Sequence, residues 1–175
     1  MDRLRAAADR SASREERIAA ARDRRSSAFD DLTSAYRRDA GIHLLERSFD
    51  TVRETDTAMA ICFVDVDGLK MINDTDGHLA GDRILSRVAA VIDSHLGCDD
   101  TLLRYGGDKF TFSVLGHLAA DIEETISAIA TALREGENIA ITCGTAFAHD
   151  WATVADAIEH ADKDLYRRRR TTRKA

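Results

Sequence analysis

The 175-residue sequence contains no proline, only three cysteines and no long apolar run. Without proline, no helix is interrupted by the loss of an amide donor. Cys62, Cys98 and Cys143 have neither metal-binding nor CxxC spacing, and Cys62 and Cys143 lie in strand-like apolar runs, where we expect buried free thiols. Free thiols predict a reducing, cytoplasmic setting. The apolar runs are too short to cross a bilayer and no signal peptide opens the chain, so we expect no membrane span.

Charge is unevenly distributed along the chain. The net charge is −6, yet arginines are concentrated in the first 38 residues and the last nine, and the middle is acidic. An acidic middle disfavours nucleic acid as a partner and favours a site that holds Mg²⁺. The length is sufficient for one globular domain with a hydrophobic core.

The chain divides into a polar N-terminal segment and a domain. Residues 1–28 are rich in Ala and Arg and contain no glycine, which predicts a helical stalk. Their few large aliphatic side chains leave two interpretations open, a solvated helical tail or a coiled-coil stalk. Residues 29–175 form the predicted domain.

The order of strands and helices predicts an α+β fold of the palm-like or ferredoxin-like kind, with one mixed central sheet flanked by helices. A helix with apolar positions up to Phe49 comes first, and "AMAICFVDVDG" then predicts a buried central strand that ends in acids. "LKMIND" predicts a short helix, "TDGHLAGD" a glycine-containing turn, and the chain from Arg83 a long helix. "TLLRYGGDKFTFSVLG" predicts a β-hairpin, and "DIEETISAIATALREG", "NIAITCGTAFA" and "ATVADAIEHADKDLYRRRR" predict a helix, a strand and a last helix.

Three acids fall at the ends of strands that a palm-like sheet places side by side. Asp65 and Asp67 end the central strand, and Asp108 lies at the tip of the hairpin. Two nearby carboxylates repel each other unless a cation lies between them, so a Mg²⁺ site for a nucleoside triphosphate is one interpretation. Acids that are simply solvated at strand ends are the other, and spacing alone does not decide between them.

The residues that follow the central strand suggest contacts to phosphate and base. Gly68 at a strand–helix junction can open a small nest of backbone amides for phosphate, and Lys70 can add a positive charge. Asn73 and Asp82 could read the edge of a guanine, because an amide and a carboxylate match its donors and acceptors. Both residues could instead cap helices, and their spacing by itself favours capping.

Together these segments resemble a known family. "FVDVDGLKMINDTDGHLAGD" followed by "RYGGDKF" is similar to the GGDEF domain of diguanylate cyclases, and "DLTSAYRR" and "ADKDLYRRRRTTR" extend the resemblance over residues 30–174. The resemblance implies the GGDEF fold and the condensation of two GTP into cyclic di-GMP with Mg²⁺ or Mn²⁺.

The resemblance also assigns roles to residues at matching positions. It implies metal ligation by Asp65, the Val66 carbonyl and Asp108, with Asp108, Asp65 and position 109 as the catalytic positions. It implies guanine recognition by Asn73 and Asp82, which replaces the capping preference. The implied contacts to the rest of GTP come from Gly68, Leu69, Lys70, Gly106, Gly107, Arg169 and Arg173.

Lys109 is the most consequential departure from the family, which has a metal-binding glutamate here. The exchange changes the local charge by two units. A lysine ~4 Å from a divalent cation would repel it by roughly 2–8 kcal/mol, depending on the effective dielectric constant. We therefore expect catalysis to be lost or strongly reduced, with GTP binding retained and one metal surviving at most. The ammonium could also touch the phosphates in place of a cation. If Lys109 instead turns to solvent, the domain remains an active diguanylate cyclase.

A second departure from the family concerns the site for product inhibition. The family's product site begins with an Arg-x-x-Asp motif, but Gly97 stands at the arginine position, with Asp100 alone remaining. We therefore expect no classical product inhibition.

Cyclases of this type work as two domains that face each other, so we expect a homodimer through the stalk or the facing sites, or pairing with another GGDEF protein.

Overall fold

One mixed sheet organises the domain, and the computed structural model describes residues 28–172 of the chain. Its strands are β1 (Tyr36–Arg37), β2 (Met59–Val66), β3 (Thr101–Gly106), β4 (Lys109–Leu115) and β5 (Ile141–Phe147). Their order is β1-β3-β4-β2-β5; β1 runs parallel to β3, and the other neighbours are antiparallel. The predicted α+β fold is confirmed. The stalk predicted for residues 1–28 lies outside the described residues except for its last position.

Six helices and one short 3₁₀ turn accompany the sheet in the described part of the chain. They are α1 (Arg38–Thr55), α2 (Leu69–Asp76), α3 (His78–Asp93), α4 (His117–Ala120), α5 (Ile122–Glu137), the 3₁₀ turn Ala148–Asp150 and α6 (Val154–Thr172).

The boundary between α2 and α3 differs from the prediction. The turn predicted over "TDGHLAGD" is wrong in length, because α3 begins at His78 and not at Arg83. Gly77 alone separates the two helices, with φ at +83°, a conformation that glycine adopts without a steric cost. Gly81 is a buried residue within α3, where its missing side chain makes room for a neighbour.

Alternation along β2 divides the core into two layers. Ala60, Cys62 and Val64 pack into a cluster with residues of α3 and α5. Ile61 and Phe63 belong to the opposite cluster, with residues of α1 and α6. Because successive strand residues point to opposite faces, the next odd-numbered residue of β2 also faces α6.

The predicted burial of two thiols is confirmed. Cys62 and Cys143 are free and buried in the sheet, and Cys98 is exposed. Burial raises the pKa of Cys143 to about 12, so this thiol stays protonated and unreactive at neutral pH. None of the helices between residues 28 and 172 combines the length and the apolar character that crossing a bilayer requires.

Thr111 offers a test of the packing in β4. Its side chain is 0% exposed, and its hydroxyl has no hydrogen-bond partner among the described residues. Replacing a buried, unsatisfied hydroxyl with a methyl group removes a desolvation cost, so Thr111→Val should raise the free energy of unfolding by about 1 kcal/mol. Chemical denaturation measures this change. Thr51→Val is the control, because the Thr51 hydroxyl donates to the Arg47 carbonyl on an exposed face of α1. A stability loss in Thr111→Val would contradict the prediction.

Candidate functional site

The end of β2 and the start of β4 meet at one edge of the sheet. Asp65 of β2 lies directly opposite Lys109 in the antiparallel ladder. One residue further, the Val66 amide donates a hydrogen bond to the carbonyl oxygen of Asp108 at 3.1 Å. The structure therefore brings the backbone of the hairpin tip beside the acidic end of β2, as the palm-like arrangement requires.

Two cations converge on the carboxylate of Asp65, whose side chain is only 3% exposed. The Lys109 ammonium donates a hydrogen bond to Oδ2 of Asp65. The Arg169 guanidinium approaches from α6 and lies 3.0 Å from Oδ1. This second contact is held by charge, because Oδ1 accepts no aligned hydrogen bond from any described residue. Each oxygen of Asp65 thus faces a side-chain cation.

Arg169 links Asp65 to the next acid along the chain. Its Nη2 donates to Oδ1 of Asp67 at 2.9 Å, and the hydroxyl of Thr142 donates to Oδ2 of Asp67 at 2.8 Å. Burial alone would lower the pKa of Arg169, but the carboxylates of Asp65 and Asp67 outweigh burial and raise it, so the guanidinium stays charged. We refer to Asp65, Asp67, Lys109 and Arg169 as the strand-end cluster.

Carboxylate and carbonyl oxygens of the kind that Mg²⁺ prefers are present at this edge, but their arrangement does not fit two cations. Residues 28–172 contain no group of three or more His, Cys, Asp or Glu side chains placed to hold a metal ion. Asp65 already faces Lys109 and Arg169. A single divalent cation on Asp65, the Val66 carbonyl and Asp108 would have to displace Lys109.

The junction between β2 and α2 has the backbone geometry expected of a phosphate-binding turn. Gly68 adopts φ +76° and ψ 5°, a left-handed conformation that favours glycine, and α2 begins at Leu69. The amides of the first helical turn have no partner within the helix. Leu69 is buried and anchors the turn in the core, whereas Lys70 is exposed.

Arg104 and Asp30 hold the glycine hairpin in place through hydrogen bonds, and we call this pair the brace. Gly106 and Gly107 have φ angles of +154° and +55°, so this tight turn depends on glycine. Arg104 donates from Nε and Nη2 to the Gly107 carbonyl at 3.2 and 3.0 Å. Its Nη1 donates to the carboxylate of Asp30 at 3.1 and 3.2 Å. Sequence reasoning missed this brace, because nothing local connects residues 74 positions apart.

Asp30 makes the brace sensitive to acid. Burial would raise the pKa of Asp30, but hydrogen bonds from Thr33 and Arg104 outweigh it, so the pKa lies below its ordinary value. A carboxyl with a lowered folded-state pKa stabilises the protein above its unfolded pKa, and this stabilisation is lost as the pH falls through the folded pKa.

We therefore expect Asp30→Asn to destabilise the domain by about 1 kcal/mol at pH 7, with a smaller difference at about pH 3. Urea denaturation of both proteins at the two pH values checks this. An equal stability difference at both pH values would show that the negative charge of Asp30 does not contribute to the stability of the domain.

Asn73 and Asp82 do not act as helix caps. Gly77 is the residue that ends α2 and precedes α3, and no side chain caps either helix there. The Asn73 side chain lies over Gly81 instead: a Cβ on Gly81 would lie 2.0 Å from Asn73 Oδ1. Asp82 follows Gly81 in the first turns of α3 and is half-buried. Asn73 of α2 therefore lies against the turn of α3 that carries Asp82.

Two further residues singled out in the sequence are Arg173, near the end of the chain, and Asp100, just before β3. Arg173 lies outside the described residues. Asp100 is used internally, because its Oδ2 accepts a hydrogen bond from the Gly97 amide at 2.7 Å and its Oδ1 accepts one from the Leu115 amide at 3.0 Å. This carboxylate closes a turn of the chain and holds it against the end of β4.

Comparisons with known sequences agree on one family. A family model described as "Diguanylate cyclase, GGDEF domain" matches residues 27–175. The chain is 31% identical over 151 residues to the probable diguanylate cyclase DgcI of Escherichia coli (strain K12), a match that covers 84% of this chain and 32% of that protein. It is 34% identical over 101 residues to the cyclic di-GMP phosphodiesterase PdeB of Shewanella oneidensis, covering 58% of this chain and 11% of that protein.

A solved structure is similar over almost the whole chain. The coiled coil and GGDEF domain of DgcB from Caulobacter crescentus, in complex with c-di-GMP, superimposes with a TM-score of 0.87 at 25% identity. The match covers 96% of this chain and 94% of that one. By contrast, the chain spans only 11% to 33% of the length of the first three curated relatives it matches.

Proposed function

This chain belongs to the GGDEF diguanylate cyclase family, and from this premise we propose that it is a GTP-binding domain whose conversion of GTP to cyclic di-GMP is lost or strongly reduced. The observation that carries the proposal is the pairing of Lys109 with the buried carboxylate of Asp65. In the family pattern these two positions supply carboxylates to metal ions. Here one of them is a cation that neutralises the other.

Several of the proposed contacts to GTP come from residues other than Lys109. Asn73 lies against the turn of α3 that carries Asp82, and these two residues can bind the guanine edge, since an amide and a carboxylate offer the matching acceptors and donors. The amides after Gly68, together with Lys70, can bind phosphate at the start of α2.

Family membership implies Mg²⁺ or Mn²⁺ as the cofactor. Asp65, the Val66 carbonyl and Asp108 would hold one such ion after Lys109 leaves Asp65. Bound there, the ion would supply charge neutralisation to the phosphates. The second metal position has no carboxylate to replace the missing glutamate, so two-metal catalysis is not supported by this residue set.

The rival function is an active diguanylate cyclase without product inhibition. One observation favours it: the Lys109 side chain is 37% exposed and can therefore leave Asp65 without disturbing the core. Asp100 accepts hydrogen bonds from the backbone amides of Gly97 and Leu115, and position 97 carries a glycine where the family's product site has an arginine. Both features support the absence of product inhibition under either function.

Assembly follows from the same family membership. We propose a homodimer, through the N-terminal segment or through facing nucleotide sites, or a pair with another GGDEF protein. The similar DgcB structure includes a coiled coil beside its GGDEF domain. Light scattering of the full chain tests this, with a monomer at all concentrations as the contrary result.

The proposed function is tested on the unaltered protein. Isothermal titration should show binding of GTP in preference to ATP, and chromatography after incubation with GTP and Mg²⁺ or Mn²⁺ should show little or no cyclic di-GMP. Sustained turnover would establish the rival function. Failure to bind GTP would reject both.

A further inference from the structure

We propose that the Lys109 ammonium takes the place of a divalent cation at this site, so that the domain binds the triphosphate of GTP without any metal ion. The inference rests on the proposed GTP binding and concerns the cation that neutralises the phosphates.

Position and burial make Lys109 suitable for this role. It is the cross-strand neighbour of Asp65, and its ammonium donates to a carboxylate that is almost fully buried. Burying a carboxylate is costly unless its charge is compensated, and here Lys109 supplies the compensating cation. About a third of the lysine side chain remains exposed, so its ammonium has donors left for a ligand arriving from solvent.

The formal charges at this edge balance without metal. The carboxylates of Asp65 and Asp67 are matched by the cations of Lys109 and Arg169. A glutamate at position 109 would instead leave an excess of two negative charges, which is the charge that one divalent cation neutralises. The lysine therefore supplies to this edge of the sheet the positive charge that a bound metal ion supplies in other members of the family.

A second cation from another element strengthens this balance. Arg169 reaches Asp65 and Asp67 from α6, at 3.0 and 2.9 Å. Lys109 contacts one carboxylate oxygen of Asp65 and Arg169 lies beside the other, so both oxygens face a positive charge. A metal ion would have to break one of these ion pairs, whereas a phosphate could be added to them as a further acceptor.

The strand-end cluster opens onto a cleft large enough for a phosphate chain. The cleft has a volume of about 560 Å³, and Asp65, Lys109 and Arg169 line it together with residues of α6. Ligand sites commonly have volumes of roughly 300–1,000 Å³. Both cations are therefore reachable from solvent in the arrangement that holds Asp65.

The test is a GTP titration by calorimetry in EDTA and in MgCl₂, with unaltered protein, Lys109→Gln and Arg53→Gln. Arg53 is the control, because it loses the same charge but lies in the last turn of α1 and does not line the cleft. A GTP-induced rise in melting temperature serves as the second readout, and the melting curves without GTP check that each variant is folded.

The unaltered protein should bind GTP in EDTA within about threefold of its affinity in MgCl₂. Lys109→Gln should lose at least about tenfold in EDTA, the effect of one charge-assisted contact, while Arg53→Gln should match the unaltered protein. GTP binding only with Mg²⁺, or an equal loss in both variants, would overturn the inference and leave the proposed function standing. No binding in either buffer would reject the proposed function itself.

Discussion

Lys109→Glu should convert this domain into a measurable diguanylate cyclase. The variant places a carboxylate opposite Asp65 in the ladder, in the position where the family has its metal-binding glutamate. The exchange replaces an ammonium that repels a divalent cation with a carboxylate that binds one, and the site needs this carboxylate to hold its metal. The change favours metal binding by roughly 2 kcal/mol or more, so the rate of cyclic di-GMP formation should rise at least ~30-fold. Chromatography of reactions with GTP and Mg²⁺ or Mn²⁺ measures the product.

The stability of Lys109→Glu should depend on metal ions. Without metal, two carboxylates lie directly opposite each other, and a buried acid has lost its ammonium partner. We expect the variant to be about 1–3 kcal/mol less stable than the unaltered protein in EDTA, with much of this loss recovered in MgCl₂. Thermal melting in the two buffers measures both effects.

Lys109→Gln is the control for the gain of activity. It removes the positive charge but supplies no carboxylate, so it should make no more cyclic di-GMP than the unaltered protein. Product from the glutamine variant would mean that the ammonium blocks a site that is otherwise complete. Equal turnover by the unaltered protein and Lys109→Glu would mean that the charge at position 109 does not limit catalysis.

Gly81→Ala should strongly weaken GTP binding while leaving the fold largely intact. The added methyl group would lie 2.0 Å from Oδ1 and 2.9 Å from Cγ of Asn73, so the amide must move away. An asparagine side chain can rotate toward solvent at a modest cost, whereas the guanine contact that depends on its position is lost. One good hydrogen-bonded base contact contributes about 1–3 kcal/mol, which corresponds to a loss of roughly 5- to 150-fold in affinity.

The preference for guanine should fall with the affinity. ATP lacks the edge that Asn73 and Asp82 are proposed to bind, so Gly81→Ala should reduce GTP binding much more than ATP binding. Gly136→Ala is the matched control, because it is also a glycine in a helix and its added Cβ would meet only Arg87 Nη2, at 4.0 Å. Unchanged GTP affinity in Gly81→Ala would remove Asn73 from the proposed site.

Much of the fold was predictable because it depends on local patterns. The acid-ended apolar run predicted β2, and the paired glycines predicted the β3–β4 hairpin. The start of α3 was predicted five residues late, because Gly81 suggested a turn. In the folded protein Gly81 is a helical residue that makes room for Asn73, which is a tertiary reason and leaves no mark in a local pattern.

The sequence by itself determined the family, the acids at the strand ends and the presence of a lysine where a metal ligand is expected. These properties depend on residue identity and on short spacings. Only the tertiary structure decided what that lysine contacts. Coulomb interactions depend on distance through space, and folding brings Arg169 to an acid 102 positions earlier and Lys109 to the opposite strand. The electrostatic state of the site, with Asp65 held between two cations, therefore follows from the sheet register and the packing of α6.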